Sequence, residues 1–391
     1  MIKARPKQID KTIYKLAFRV FTLIFVILPV VFLQGCEQIS YYGQAIQGHL
    51  AIMSSEQDIQ QLIDSEETDP KLKERLKGVL SALDYAEQHL AMPQAETNYR
   101  SFVQLDRNYP VWSVVAAPDD SLSPRQWCYP FVGCASYRGY YSEQEAIDYA
   151  QNIFKEGHMD IHVGGADAYS TLGWFNDPVL STFFRRDEIG LHALIFHELA
   201  HQVLYLQGDS TFNESFASAV EETGIELWLK QQPELIERFH IRKERGHQFM
   251  ALLKTTRADL EEAYQNNETK EARLNKKRDI INQLTDRYND LKNTHWNGYN
   301  GYDRWFEKPV NNARLALVNT YSQWVPAFKH WIKQCDYNYE AFYQAAETLS
   351  EQALEERTRV LTLYDSAANP TLNDANKTDY PSLPCKYSPN S

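Results

Sequence analysis

Apolar residues in this chain recur mostly at three- and four-residue spacings, and alternation is confined to short stretches. That periodicity predicts amphipathic helices over most of the length, because a 3.6-residue repeat returns apolar side chains to one face. Residues 40–92 read as two helices. Tyr41-Tyr42-Gly43-Gln44 opens the first; Leu72, Leu76, Val79, Leu80 and Leu83 line one face of the second, with Pro70 near its start. Ser142 to Lys155 repeats the pattern, with Ser142 as cap and Glu145 in the capping-box position. Glu188 to Gln207 is a further helix, broken by Gly208-Asp209, and Thr211 or Asn213 then caps a helix running to about Lys230. The charged stretch from Glu234 to Asn293 reads as an antiparallel helical hairpin turning near Gln265-Asn266-Asn267. Its apolar residues (Leu253, Leu260, Leu274, Ile281, Leu284, Leu291) repeat irregularly, which favours a solvated arm or lid over a coiled-coil dimer. Residues 311–365 are again amphipathic, and the tail from Ala367 has loop composition.

Strand signals are few. Val111-Trp-Ser-Val-Val115 and Asp160-Ile-His-Val163 have the β-branched and aromatic content of short strands, and Gly164 to Pro178 reads as a structured loop. The expected class is α+β, mainly α-helical, with a small sheet beside the helix over 188–207. There is no internal repeat and no low-complexity segment.

The chain's beginning changes this picture. Lys3, Arg5, Lys7, Lys11, Lys15 and Arg19 face a single acid, Asp10, and an apolar run from Val20 to Leu33 follows. That is the charged and apolar order of a secretory signal, too short for a comfortable membrane span. Leu33-Gln34-Gly35-Cys36 resembles a bacterial lipobox, which implies cleavage before Cys36, acylation of that cysteine and a lipid anchor in the membrane. Glu37 after the cysteine implies outer-membrane sorting, so the expected location is the bacterial cell envelope, facing the periplasm. The expected layout is a signal peptide over 1–35 and one domain over 36–391, with the hairpin arm at about 234–293.

Removing residues 1–35 takes six basic and one acidic residue from totals of 40 and 52, leaving 34 against 51 and a formal charge of −17. Such a surface disfavours nucleic acid and anionic lipid as partners. Cysteine usage agrees with export. With Cys36 assigned to lipid, Cys128, Cys134, Cys335 and Cys385 allow three pairings; Cys128 with Cys134 and Cys335 with Cys385 is the favoured one. No CxxC pair exists to build a second metal site from them.

The chemistry is concentrated in His197-Glu198-Leu199-Ala200-His201. Histidines four apart on a helix project from one face a turn apart and can bind one Zn²⁺; Glu198 beside them can take a proton from water as general base. Catalytic zinc sites use a third protein ligand. Glu214 in Phe212-Asn213-Glu214-Ser215-Phe216-Ala217 is the leading candidate, since a helix start leaves its carboxylate free to reach a metal. Glu221, two turns further on, is the rival; its alternative role is to hold a ligand histidine from behind. Tyr169 is the leading candidate to stabilise an oxyanion, with Tyr137, Arg138 and Tyr140 behind it. Asn311 and Asn312 read either as substrate contacts or as helix caps, and His162 and His192 as non-ligands.

Asn213-Glu214 entering a helix after HExxH resembles the third-ligand segment of gluzincins, although their spacing is nearer twenty residues than thirteen. A wider set of motifs resembles one bacterial family, the putative aminopeptidases, predicted zinc lipoproteins. They are the lipobox, Tyr42-Gly-Gln44, Trp127-Cys128, Tyr137-Arg-Gly-Tyr140, Ala168-Tyr-Ser-Thr-Leu-Gly-Trp174, Asp177-Pro178, the motif run to Gln202, Phe212 to Ala217 and Asn311-Asn-Ala313. That resemblance covers essentially the whole mature chain and implies a zincin-like, zinc-dependent metallopeptidase. It implies His197, His201 and Glu214 as ligands, Glu198 as base and a peptide or protein as substrate. No GxMEN-like segment, used by related enzymes to hold a free amino terminus, is present. Two other readings stay open: an envelope lipoprotein acting as a binding or chaperone-like module, and a zinc amidase on cell-wall peptides. The oligomeric state is not legible.

Overall fold

In the computed structural model, residues 40–129, 133–166, 176–266, 269–319, 323–368 and 385 are described. The signal region with Cys36, the loop containing Tyr169, and all of the tail beyond 368 except Cys385 lie outside them. The chain divides into two units, residues 1–54 and 55–391. In the first, residues 40–53 form one helix, α1.

The second unit opens with a short strand, β1 (Gln57–Asp58), and a short helix, α2 (Ile59–Asp64), before the expected α3 (Pro70–Leu90). Proline sits at the first position of α3 and Asp69 caps it by accepting from Lys71 and Leu72 N–H, so the missing proline donor costs nothing there. Strands β2 (Ser101–Val103), β3 (Val111–Pro118), β4 (Trp127–Tyr129), β5 (Gly133–Ala135) and β6 (Arg138–Tyr140) precede α4 (Glu143–Glu156). Ser142 caps α4 by accepting from Glu145 N–H, as its sequence position predicts. Strands β7 (Met159–Ala166) and β8 (Val179–Leu180) follow. β3 lies between β6 and β7, antiparallel to both; β2 pairs antiparallel with β1 and parallel with β8. Both strand signals of the sequence are therefore strands, each longer than its apolar run.

The remaining elements are helical: α5 (Glu188–Val203), α6 (Ser210–Trp228), α7 (Ile236–Gln265), α8 (Lys270–Asp290), α9 (Asp303–Phe306), α10 (Asn312–Ala316), α11 (Val325–Gln334), α12 (Tyr339–Ser350) and α13 (Leu354–Ala368). The fold is α+β and mainly helical. α5 is the central element: Ile189, Leu191, Ala193, Ile195, Phe196, Leu199 and Ala200 are all buried, so it is apolar nearly all round. α3 and α6 pack along it, and α6 approaches it closely at Gly224. A Cβ there would stand 2.8 Å from Leu90 and 3.1 Å from Phe196, so glycine's missing side chain sets the spacing. On its other side α6 packs on α11 and α12, with Phe216 stacked on Phe342 and edge-on to Phe328. Glu222 and Glu226 of α6 pair with Lys243 of α7 and Lys329 of α11, tying three helices together.

Three details differ from expectation. α5 ends at Val203, with Leu204 extended, rather than continuing to Gln207. The cause is Asn213, buried in α6: its amide oxygen accepts from Leu206 N–H at 2.7 Å and its NH2 donates to Leu206 C=O at 2.8 Å. Satisfying both backbone groups of Leu206 holds that residue out of the helix and turns the chain back along α5. The cap of α6 is then Asp209, not Thr211 or Asn213. Asn213→Ala is expected to lower stability by about 1–3 kcal/mol, because Leu206 N–H loses its partner in a partly buried turn while Leu206 C=O keeps only Asp209 N–H. Chemical denaturation against wild type measures it; an unchanged midpoint would show that the clamp is dispensable.

The hairpin of α7 and α8 turns where expected, but its tip is docked rather than solvated. Lys270, Arg273 and Lys277 pair with Asp119, Asp120 and Asp160 at 2.9, 2.7 and 2.5 Å, at the end of the β3–β7 pair. Its base packs an aromatic cluster in which Phe249 stacks on Tyr302 and Tyr288 on Phe306. The disulfides follow the favoured pairing: Cys128 with Cys134 and Cys335 with Cys385.

Candidate metal and active site

The turn at Leu206 brings the start of α6 beside the end of α5, and four side chains meet there. His197 and His201 stand one helical turn apart with ring centroids 4.8 Å apart and planes nearly perpendicular. Glu214, four residues into α6, offers one carboxylate oxygen to each: 3.4 Å to His197 Nε2 and 3.6 Å to His201 Nε2. Glu221 lies seven residues further along the same face of α6, two turns on. It reaches the opposite nitrogen of His197, with Oε2 3.1 Å from Nδ1. The two rival glutamates therefore occupy different sides of one imidazole. His201 Nδ1 is buried without a hydrogen-bond partner among the described residues.

His197, His201 and Glu214 are the one group of potential metal ligands that converges among the described residues, with one donor atom of each within 4.8 Å of the others. Bonds of about 2.0–2.1 Å at tetrahedral angles separate neighbouring ligand atoms by roughly 3.3 Å. Each histidine here meets a different oxygen of Glu214, at 3.4 and 3.6 Å, and with one atom taken from each residue the three lie within 4.8 Å of one another, so zinc would draw them closer together. Two imidazole nitrogens and a carboxylate are also a donor set that zinc takes.

The electrostatics of these groups are strained. Burial opposes the His197 imidazolium, but hydrogen bonds to Glu214 and Glu221 outweigh it and raise the pKa to about 10. His201 goes the other way: burial and then the neighbouring His197 charge lower it to about 4. Burial works against the Glu214 carboxylate, yet the hydrogen bond from His197 and the charge on both imidazoles keep its pKa below the usual value. Glu198 is pushed up to about 7 by burial, against the pull of His197 and with added repulsion from Glu214, Asp177 and Glu221. Glutamates 198, 214 and 221 with Asp177 crowd negative charge around two imidazoles, which a divalent cation would relieve.

A cleft of about 810 Å³ opens beside His197 and Glu198, running along α5 past Leu194, Ala193 and Gly190 towards Arg186, with Ala166 at the end of β7 and Arg242 from α7 on its walls. Tyr169 falls outside the described residues. Tyr137 is exposed, and Arg138 lies over the rings of Tyr149 and Tyr140, 4.4 and 5.7 Å from their centroids; none of Tyr137, Arg138 and Tyr140 is among the cleft-lining residues. Sequence reasoning missed Tyr205, whose ring stands edge-on to His201 with centroids 6.3 Å apart. Burial and the Glu214 charge raise its pKa, so it stays a hydrogen-bond donor. Its position four residues past the second histidine was the available signal.

Other candidates have structural roles. His192 donates Nδ1–H to Glu188 C=O and stacks on Trp228, with its pKa lowered to about 4 by burial. His162, also lowered to about 4 by burial first, belongs to no ligand group among the described residues. Asn311 caps α10 and donates to Ile161 C=O, while Asn312 donates to Pro118 C=O and accepts from Tyr264; both bind the sheet to the helices rather than lining the cleft. Asp177 is buried and accepts from Gln202 through its carboxylate and from Tyr99 N–H through its carbonyl.

Fold and site together define a mainly helical α+β protein with an HExxH helix and a convergent two-histidine, one-glutamate cluster. The chain belongs to the family described as "Putative aminopeptidase", whose pattern matches residues 40–361. It is therefore a member of a peptidase family, with a peptide or protein as substrate. No match was found among curated proteins or among solved structures.

Proposed function

We propose that the protein is a zincin-like, zinc-dependent peptidase of the bacterial envelope, anchored through lipid at Cys36, in which His197, His201 and Glu214 hold the metal. The observation that carries this reading is the convergence of Glu214 on the Nε2 atoms of both histidines, at 3.4 and 3.6 Å. Glu221 accepts from Nδ1–H of His197, which leaves the Nε2 lone pair directed at the metal position. When bound, zinc supplies Lewis-acid polarisation of a carbonyl and makes water at the site more acidic. Glu198, adjacent to His197, takes the proton of the attacking water and passes it to the leaving amine. Tyr205 O–H donates to the oxygen that gains charge. Amide hydrolysis in cell-wall peptides would use the same groups. A binding module, by contrast, has no use for Glu198.

Metal analysis of the purified protein tests this directly. One zinc per chain is expected, with peptide hydrolysis lost on chelation and restored by stoichiometric zinc. Freshly purified protein with no zinc, or activity indifferent to chelation, would sink the reading.

A further inference from the structure

α6, α7 and α11 enclose a second pocket, of about 580 Å³, and every residue lining it belongs to one of these three helices. Part of its wall is apolar, with Met250 from α7 and Val325 and Pro326 from α11. The rest is cationic. Lys254 comes from α7, Lys329 and Lys333 from α11, and His247 and His330 add two imidazoles, against one acid, Glu222. That balance runs against the chain as a whole, whose formal charge is −12.

Glu222 does not neutralise the pocket. It pairs with Lys243 at 3.1 Å and Lys329 at 2.5 Å, and Glu226 pairs with the same two lysines at 2.8 and 3.1 Å. Burial opposes both carboxylates, but the lysines outweigh it and hold their pKa values below the usual range. Two carboxylates and two ammoniums thus close a network with no net charge. Lys254 and Lys333 are left over: both are exposed, and neither forms an ion pair with a described residue. For Lys254 the reason is local, because the residues three and four away on its helix are Met250, Ala251, Arg257 and Ala258, none of them acidic. His330 registers the excess: burial first, and then the charge of Lys333, lower its pKa.

The pocket begins close to the metal cluster along α6. Glu214, Ser218 and Glu222 follow at steps of four, a stripe that drifts about 40° around the helix at each step. Ser218, on the pocket wall, is therefore one turn from Glu214, roughly 6 Å along the axis, and Glu222 roughly 12 Å. We propose that, given the peptidase reading above, this pocket is a subsite for an acidic residue of the substrate, its carboxylate held by Lys254 and Lys333. The two ammoniums meet the charge, and the apolar wall takes the hydrocarbon of that residue and its neighbours. An extended peptide at about 3.3 Å per residue covers those distances in roughly two to four residues, which sets the separation between the acidic residue and the bond cut. Two spare charges beside an apolar wall match one carboxylate on a peptide; nucleic acid, with a phosphate at every step, needs a longer basic track. The family is one of peptidases, and a peptide is the ligand it supplies.

The test uses zinc-loaded wild type for cleavage and the Glu198→Gln protein for binding. The probes are hexapeptides on one alanine–phenylalanine framework, amidated at the carboxyl terminus and made with either a free or an acetylated amino terminus. Each carries glutamate or glutamine at one position in turn. At low salt, at least one glutamate peptide is expected to bind, and to show kcat/KM, about fivefold or more above its glutamine twin, the worth of two partly exposed ion pairs. Raising the salt to about 0.5 M should shrink that ratio. Lys254→Gln combined with Lys333→Gln should bring it to about one, mostly through KM, with a thermal midpoint to confirm folding. Lys254→Glu combined with Lys333→Glu should turn the preference towards peptides carrying lysine at the same position, which a merely structural role of the two lysines would not produce. Equal binding of the twins by wild type overturns the proposal without any variant, and so does a preference that survives the double substitution. Glycerol 3-phosphate probes the other class of anion: if it binds wild type but not the double variant while no acidic peptide does, the pocket serves a phosphate ligand and the proposal falls. If glutamate peptides bind selectively through both lysines but none is cut, the peptidase reading fails and the subsite stands. If twins are cut equally, the reading stands and the subsite fails; if no peptide binds, both fail.

Discussion

Replacing Glu198 by Gln is expected to leave zinc content at the wild-type level while lowering kcat for peptide hydrolysis by about 10²–10⁴-fold, the usual worth of a positioned general base. The separation of metal from activity is the informative part. Glu198 is buried and neighbours His197 in sequence, yet it lies outside the group of converging ligands. The amide is isosteric, so the packing around α5 should survive; only the acceptor for the water proton goes. Tyr205→Phe in the same assay removes a donor and leaves both ligands and base, and a loss of about 10–10³-fold in kcat is expected. Zinc content and steady-state rates, with a thermal midpoint to confirm folding, check both variants. A fully active Glu198→Gln protein would end the hydrolase reading and return the protein to the binding modules. A variant that loses zinc as well as activity would mean that Glu198 is itself a ligand.

Glu214→Ala and Glu221→Ala should separate by metal affinity. Loss of a ligand removes one of three protein bonds, so the Glu214 variant is expected to lose zinc during purification. Loss of the carboxylate behind His197 weakens metal binding by about 10–100-fold and leaves zinc detectable when supplied in excess. Competition with a chromophoric chelator measures both. The reverse order would exchange the two roles. The structural basis is the pair of contacts on His197, Glu214 at Nε2 and Glu221 at Nδ1. A carboxylate on Nδ1 and a metal on Nε2 are compatible on one ring, and each strengthens the other.

Much of the helical frame was legible because its signals are local. Pro70 and Ser142 declare helix starts and the HExxH residues a helix face by spacing alone: α3 and α4 begin beside the first two, and α5 carries both histidines. The hairpin turn near 266 was equally local, but the docking of its tip was not: Lys270, Arg273 and Lys277 are unremarkable charges until Asp119, Asp120 and Asp160 face them across more than a hundred residues. The early end of α5 was missed for the same reason. Nothing within the 204–209 segment demands it; Asn213 imposes it from the next helix.

By itself, the sequence determined that His197 and His201 share a helix face, that Glu198 stands between them in order, and that the next helix, α6, would carry Glu214 and Glu221. Helical periodicity is a property of neighbours, so spacing suffices for it. The tertiary structure alone decided which nitrogen each glutamate meets and that Tyr205 comes edge-on to His201. Those outcomes depend on where the chain reverses and how closely its helices pack, and both are settled by buried backbone groups and missing side chains far apart in the chain. The clamp of Asn213 on Leu206 and the close approach at Gly224 are the two places where that happens.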